Sequence, residues 1–231
     1  MVWVIPSITT GNFFVSLHIL ILNQFVMEFR EVVEKRSSVR SFRDESVPPD
    51  HLREMIRIAA MAPSVNNFQP WKFMVITSRD LLSKMANIVS EKIQSLPTNE
   101  SLAAENIKSQ VEFFATFFRD APALIVLLME EYESVLEKGV RMTHEEINKE
   151  RNFPDLQSAG ACIENLLLAA VDMGYGACWL SAPLMAANEL AQLLEVEKPY
   201  RIIAFTAVGK PAHNPLPKSR KELDELIIWK E

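Results

Sequence analysis

Two short stretches of this sequence gather side chains that hold anions. Arg36-Ser37-Ser38-Val39-Arg40 places two guanidiniums beside two hydroxyls. An Arg fork offers paired donors to a phosphate, and Ser adds short hydrogen bonds. A basic, solvated helix end that complements the macrodipole accounts for the stretch equally well. The second stretch is Pro217-Lys218-Ser219-Arg220-Lys221, in a loop far along the chain. Alone it reads as a solvated charge run. Together the two would make a bipartite phosphate clamp, although sequence by itself does not bring them into contact.

A third candidate is Ala62-Pro63-Ser64-Val65-Asn66-Asn67-Phe68-Gln69-Pro70-Trp71. Asn and Gln carry both donors and acceptors, as reading the edge of a heterocycle requires. A capped turn between helix and strand explains the Pro, Ser and Asn residues cheaply, and the Gln and Trp less well. Other chemistries find no support. The histidines at 18, 51, 144 and 213 have no ligand spacing. Ser64 is not in a G-x-S-x-G elbow. Cys162 and Cys178 form no C-x-x-C pair and read as buried, reduced thiols of a cytoplasmic protein. Gly174-Tyr175-Gly176 lacks the third glycine of a dinucleotide fingerprint and follows a helical pattern, so a Rossmann domain is not expected.

The elements that must position these residues are well punctuated. The chain has 231 residues, 48% hydrophobic and 23% charged, with a net charge of −6. That is a globular composition with room for a substantial core. The acidic balance argues against a broad nucleic-acid footprint. A short helix is expected over Glu28–Arg36, and another from Val47-Pro48-Pro49-Asp50, with Leu52, Met55, Ile56 and Ala59 on one face. Trp71–Thr77 reads as a strand, and 80–95 and 101–118 as helices. Phe113, Phe114, Phe117 and Phe118 form a stripe suited to core or subunit interface. Ala123–Met129 reads as a buried central strand, 130–154 as a charged surface region, and Asp155–Met173 as a long apolar helix. A strand over Tyr175–Leu180, a helix over Met185–Leu194, a strand over Ile202–Val208 and a short helix over Lys221–Ile228 complete the set. This is an α+β pattern with a mixed sheet flanked by helices.

Residues 1–26 contain no Asp, Glu, Lys or Arg, and we treat them as an extension to a domain spanning 27–231. Ser16, His18, Asn23 and Gln24 interrupt the apolar run, which argues against a membrane span. A translation start at Met27, or a segment that packs on a partner subunit, fits the interrupted hydropathy better.

In this order and spacing, Arg36–Phe42, Val47-Pro48, Ala62–Trp71, Asn165–Ala170 with Gly174-x-Gly176, Val208-Gly209-x-Pro211 and Leu216–Arg220 resemble the FMN-dependent nitroreductase family. The likeness covers nearly the whole chain from Met27. It implies an intertwined α+β homodimer with FMN at the subunit interface. It further implies an oxidoreductase that passes electrons from NADH or NADPH, by ping-pong kinetics, to a small nitro or quinone-type aromatic. Carried over by position, Arg36, Ser37, Ser38 and Arg40 would hold the phosphate and ribityl end, with Lys218 and Arg220 closing on the phosphate. Asn67 would contact the ring system, with Pro63, Ser64 and Gln69 supporting it or serving the neighbouring subunit. Ser181 and Ala182 would lie where the backbone approaches the isoalloxazine. The resemblance identifies no catalytic side chain; the flavin edge, backbone N–H groups and water remain open as proton sources. A reductive dehalogenase-like or flavin-destroying branch shares the early motifs, and a non-catalytic flavin-binding or flavin-storage protein is the alternative of another class.

Overall fold

The apolar run expected as a central strand forms β2 (Ala123–Glu130), buried along nearly its whole length. Its uniform hydrophobicity follows from its place. Leu124, Val126 and Leu128 face one core cluster, while Ala123, Ile125, Leu127 and Met129 face the other. Alternate side chains leave a strand on opposite faces, so a strand covered on both needs apolar residues throughout. The computed structural model describes residues 27–97, 101–132, 135–215 and 218–230. The uncharged segment 1–26, and Leu216 and Pro217 of the tail motif, lie outside the described residues.

The other strands are β1 (Trp71–Ile76), β3 (Gly176–Leu180) and β4 (Tyr200–Gly209). They form one sheet in the order β1-β2-β4-β3, and all three pairings are antiparallel. The parallel part of the expected mixed sheet is the isolated bridge between Ser38 and Ala177. The strand order leaves β3 at an edge, open to that bridge.

Helices cover both faces. On one, α2 (Pro49–Ala59) packs against α6 (Pro154–Asp172), burying Leu52, Met55 and Ala59 at the helical spacing seen in the sequence. Short α1 (Phe29–Lys35) leans on α6. On the other face lie α3 (Arg79–Ser95), α4 (Leu102–Thr116) and α7 (Ala187–Leu193). Ser78 caps α3 by accepting from the Leu81 amide at 3.3 Å. The charged stretch before α6 holds α5 (His144–Glu150), opened by a reciprocal capping box between Thr143 and Glu146.

The Phe stripe divides: Phe117 and Phe118 join the core, whereas Phe113 and Phe114 are exposed on the single chain, where the chain leaves α4 at Thr116 for a 3-10 turn over Phe117–Asp120. One expectation needs correction. The helix expected over Lys221–Ile228 is only a 3-10 turn at Leu223–Glu225, and Leu226, Ile228 and Trp229 stay exposed. A short helix must offset its nucleation cost by burying a face, and this segment buries none against the described residues. Among the described residues, no helix is long and apolar enough to cross a membrane.

Candidate functional site

The open edge of β3 organises the site. The Val39 amide donates to the Ala177 carbonyl at 3.0 Å, which docks the Arg36–Arg40 stretch along that edge. Gly176 permits the approach. A Cβ there would meet Val39 Cγ2 at 2.5 Å, far inside contact distance. Beyond β4, the Arg43 amide donates to the Lys210 carbonyl at 2.8 Å and the Ala212 amide to the Ser41 carbonyl at 3.0 Å. These bonds start the tail beside residues 41–43 and aim it at Arg36.

The two anion-type clusters therefore meet. Arg36, Ser37, Ser38, Lys218 and Arg220 line one cavity of about 970 Å³, together with Tyr175, Gly176 and Asn214. Lys35, which also lines the cavity, is paired with Glu31 at 2.6 Å, but Arg36, Lys218 and Arg220 are weakly compensated. Arg36 Nε lies 3.6 Å from Glu164 Oε1. Among the described residues, no carboxylate pairs with Lys218 or Arg220; Arg220 Nη1 donates to the Ser219 carbonyl at 3.3 Å. Cys178 senses the same field from within β3. Burial pushes its thiol up, against the nearby Arg40, Ser38, Lys218 and Arg36, all of which favour the thiolate. Arg40 thus belongs to the charge cluster, although it does not line the cavity. Its guanidinium stacks 5.3 Å from the Phe114 ring centroid.

Ser181 and Ala182 follow directly on the last residue of β3. At about 3.3 Å per residue, the five-residue strand sets them roughly 16 Å from the clamp. The Pro63–Pro70 loop lies elsewhere. It feeds Trp71, which pairs with Met129 at one end of the sheet, whereas Gly176 pairs with Gly209 at the other. On β4 these levels correspond to Arg201 and Gly209, about 26 Å apart along the strand. Within one chain, Pro63, Ser64, Asn67 and Gln69 are not brought to the cavity.

The loop is nevertheless built to a specific shape. Asn66, Asn67 and Gln69 all have positive φ, at 52°, 55° and 53°. Such backbone costs about 1 kcal/mol or more per residue outside glycine, and it concentrates at functional sites. Ser64 holds the turn: its Oγ accepts from the Gln69 amide at 2.9 Å. Gln69 Nε2 donates to Asn67 Oδ1 at 3.3 Å.

Sequence reasoning missed Tyr175 and Asn214 in the cavity wall. Tyr175 is buried, its hydroxyl lies 2.7 Å from His51 Nδ1, and Lys210 Nζ sits 4.0 Å from its ring centroid. The signal was the Gly174-x-Gly176 pair. It marks a close backbone approach rather than a failed dinucleotide fingerprint.

The comparisons agree with this architecture. A sequence model of the Nitroreductase family matches residues 33–210. The crystal structure of a BluB-like flavoprotein from Clostridium difficile 630 superposes with a TM-score of 0.79 at 32% identity, covering 89% of this chain and all of that one. Iodotyrosine deiodinase of Hydra vulgaris is 27% identical over 207 residues, 87% of this chain and 72% of its own. A Bacillus subtilis (strain 168) protein with the provisional name NAD(P)H nitroreductase YfhC is 25% identical over 194 residues, 83% of this chain and 88% of its own.

Proposed function

Since the chain belongs to the nitroreductase family, we propose that it is an FMN-dependent oxidoreductase that passes electrons from NADH or NADPH to a small nitro- or quinone-type aromatic. The observation that carries this reading is the convergence of Arg36, Ser37, Ser38, Lys218 and Arg220 on one cavity of an acidic protein. Three cations and two hydroxyls suit a phosphate monoester, and the cavity volume suits a cofactor-sized ligand. The flavoprotein named among the similar structures supports the cofactor. The nicotinamide donor rests on the name of the Bacillus relative.

In this reading Arg36, Lys218 and Arg220 neutralise the phosphate, with Ser37 and Ser38 completing its hydrogen bonds. The backbone at Ser181 and Ala182 meets the ring end, one β3 length away. Bound FMN would supply the two-electron chemistry, and the protein supplies binding, orientation and electrostatics. Asn67 and Gln69 stand too far along the sheet to reach the same flavin, so a second copy of the chain contributes them. That makes the working unit a homodimer with composite sites. We place the protein in the cytoplasm, where thiols such as Cys162 and Cys178 stay reduced.

A second reading is reductive dehalogenation of a halogenated aromatic, favoured by the deiodinase relatives. Both readings need the same flavin site and differ only in the acceptor. The test is a visible spectrum of the purified protein, followed by anaerobic addition of NADPH and then NADH. A yellow protein that either donor bleaches supports the proposal. A yellow protein that neither reduces points to flavin binding without this catalysis. A protein that stays colourless after incubation with FMN overturns the cofactor assignment. Turnover of a nitroaromatic against an iodophenol then separates the two acceptors.

A further inference from the structure

The end of the sheet opposite the cavity holds a polar chain that the clamp does not use. Arg151 Nη1 donates to the Tyr132 hydroxyl at 3.2 Å. That hydroxyl donates to Asn148 Oδ1 at 3.5 Å. Asn148 Nδ2 donates to His144 Nε2 at 2.7 Å, and His144 Nδ1 lies 2.8 Å from Glu137 Oε1. An amide nitrogen only donates, so Nε2 is the bare imidazole nitrogen and Nδ1 carries the proton toward the carboxylate. Every donor then points the same way, from a guanidinium to a carboxylate, and the bonds polarise one another. Tyr132 and Asn148 are buried. Burial also raises the Tyr132 hydroxyl above its ordinary pKa, which keeps it protonated and donating.

The Tyr132 ring packs edge-on against His144, 5.5 Å between centroids, and a second ring contact explains why such a chain would be kept. Tyr132 follows β2, and the Pro63–Pro70 loop precedes β1; these strand ends are neighbours, and the Glu130 amide donates to the Pro70 carbonyl at 3.1 Å. The Tyr132 ring lies 6.3 Å from the Phe68 ring, tilted by 55°. Phe68 sits between Asn67 and Gln69, both held at positive φ. Backbone of that kind persists only where its surroundings over-determine it. Ser64 supplies support from inside the loop, and Tyr132 supplies it from outside.

We propose that Tyr132, oriented by Asn148 and His144, is a positioning residue for the Pro63–Pro70 loop. It fixes Phe68 and so holds Asn67 and Gln69 in the shape that meets the flavin and its acceptor. The inference rests on the reading that this loop serves the flavin site of the neighbouring subunit.

A double-mutant cycle on the FMN-loaded protein tests it, with 4-nitrobenzoate as probe acceptor. Phe68→Leu and Asn148→Leu are each expected to raise KM by about five-fold with kcat within about two-fold. The double variant is expected to raise KM no further than the larger single change, because both act through one contact. Effects that multiply overturn the proposal, as does an unchanged KM in Asn148→Leu beside a raised one in Phe68→Leu. If Asn148→Leu does not fold, Tyr132→Phe replaces it in the cycle, since it keeps the ring and removes the hydroxyl. Asn67→Ala separates the inference from the reading beneath it. A changed FMN affinity or KM there, with a cycle that multiplies, rejects the positioning role alone. No effect in both Asn67→Ala and Phe68→Leu rejects the loop's role and the inference with it.

Discussion

Arg36 and Arg220 share one cavity wall although the sequence separates them by most of its length. Neither has a fully engaged carboxylate: Glu164 stands 3.6 Å from Arg36, and no described acid pairs with Arg220. Unspent positive charge at a fixed place is what an anion site needs, and the variants below follow from it.

Arg36→Ala or Arg220→Ala removes a charge-assisted phosphate contact of about 1.5–3 kcal/mol. FMN affinity, followed by flavin fluorescence quenching, is expected to fall about ten- to hundred-fold. Glu164→Gln should act in the opposite sense and more weakly, because an exposed ion pair holds Arg36 only loosely. Unchanged affinity in both arginine variants would remove the clamp.

Gly176→Ala introduces a Cβ that meets Val39 Cγ2 at 2.5 Å and Val39 Cβ at 2.8 Å. The 36–40 stretch must then move off the edge of β3. We expect a loss of about 1–3 kcal/mol in urea unfolding, together with weaker FMN binding. Stability lost with FMN affinity intact would mean that the clamp does not depend on this docking.

Composite sites make a prediction that no single-chain site makes. Arg36→Ala chains and Asn67→Ala chains are refolded together. Random assembly gives hybrid dimers in which one site is intact and the other carries both defects, so about a quarter of all sites should bind FMN normally. If each site were built from one chain, every site would carry one defect and the titration would show no normal phase.

Burial raises the Cys162 thiol from its ordinary 9.0 to about 12. The folded state thus binds this proton more tightly than the unfolded chain does. The resulting stability is complete below pH 9.0 and is lost as pH rises toward about 12. Cys178, Tyr132 and Tyr175 shift in the same direction, also by burial. The urea midpoint should therefore decline with alkaline pH, and Cys162→Ala should flatten part of that decline. At neutral pH both thiols should react with a disulfide reagent only after unfolding. Rapid labelling of the native protein would contradict their burial.

Much of this fold was legible in the chain itself. The apolar run at Ala123–Met129 read as a buried central strand, and Leu52, Met55 and Ala59 read as one helical face, as the structure has them. The clamp residues were legible as types, since paired Arg and Ser suit an anion, but a solvated basic helix end accounts for the same residues equally well. Their meeting was not legible, since it depends on strand order and on the bonds that turn the tail at Lys210 and Ala212. The positive φ at Gln69 was hidden for a similar reason: no local preference asks for it, and Ser64 imposes it. The tail misled because its apolar residues suit a helix, while the described residues offer them no surface to pack on.

The docking of Ser38 and Val39 on β3 also sets an order of events during synthesis. Residues 36–43 leave the ribosome well before their partners, Ala177 and Lys210 to Ala212. Until those emerge the early arm has no neighbour, and closing so long a loop is entropically slow. The sheet's central pair must wait as well, because β4 follows β3, so β1 and β2 can form a hairpin-like pair long before the anion site exists. A nascent chain would thus acquire its phosphate grip last, and cofactor capture would report completion of the fold rather than guide it.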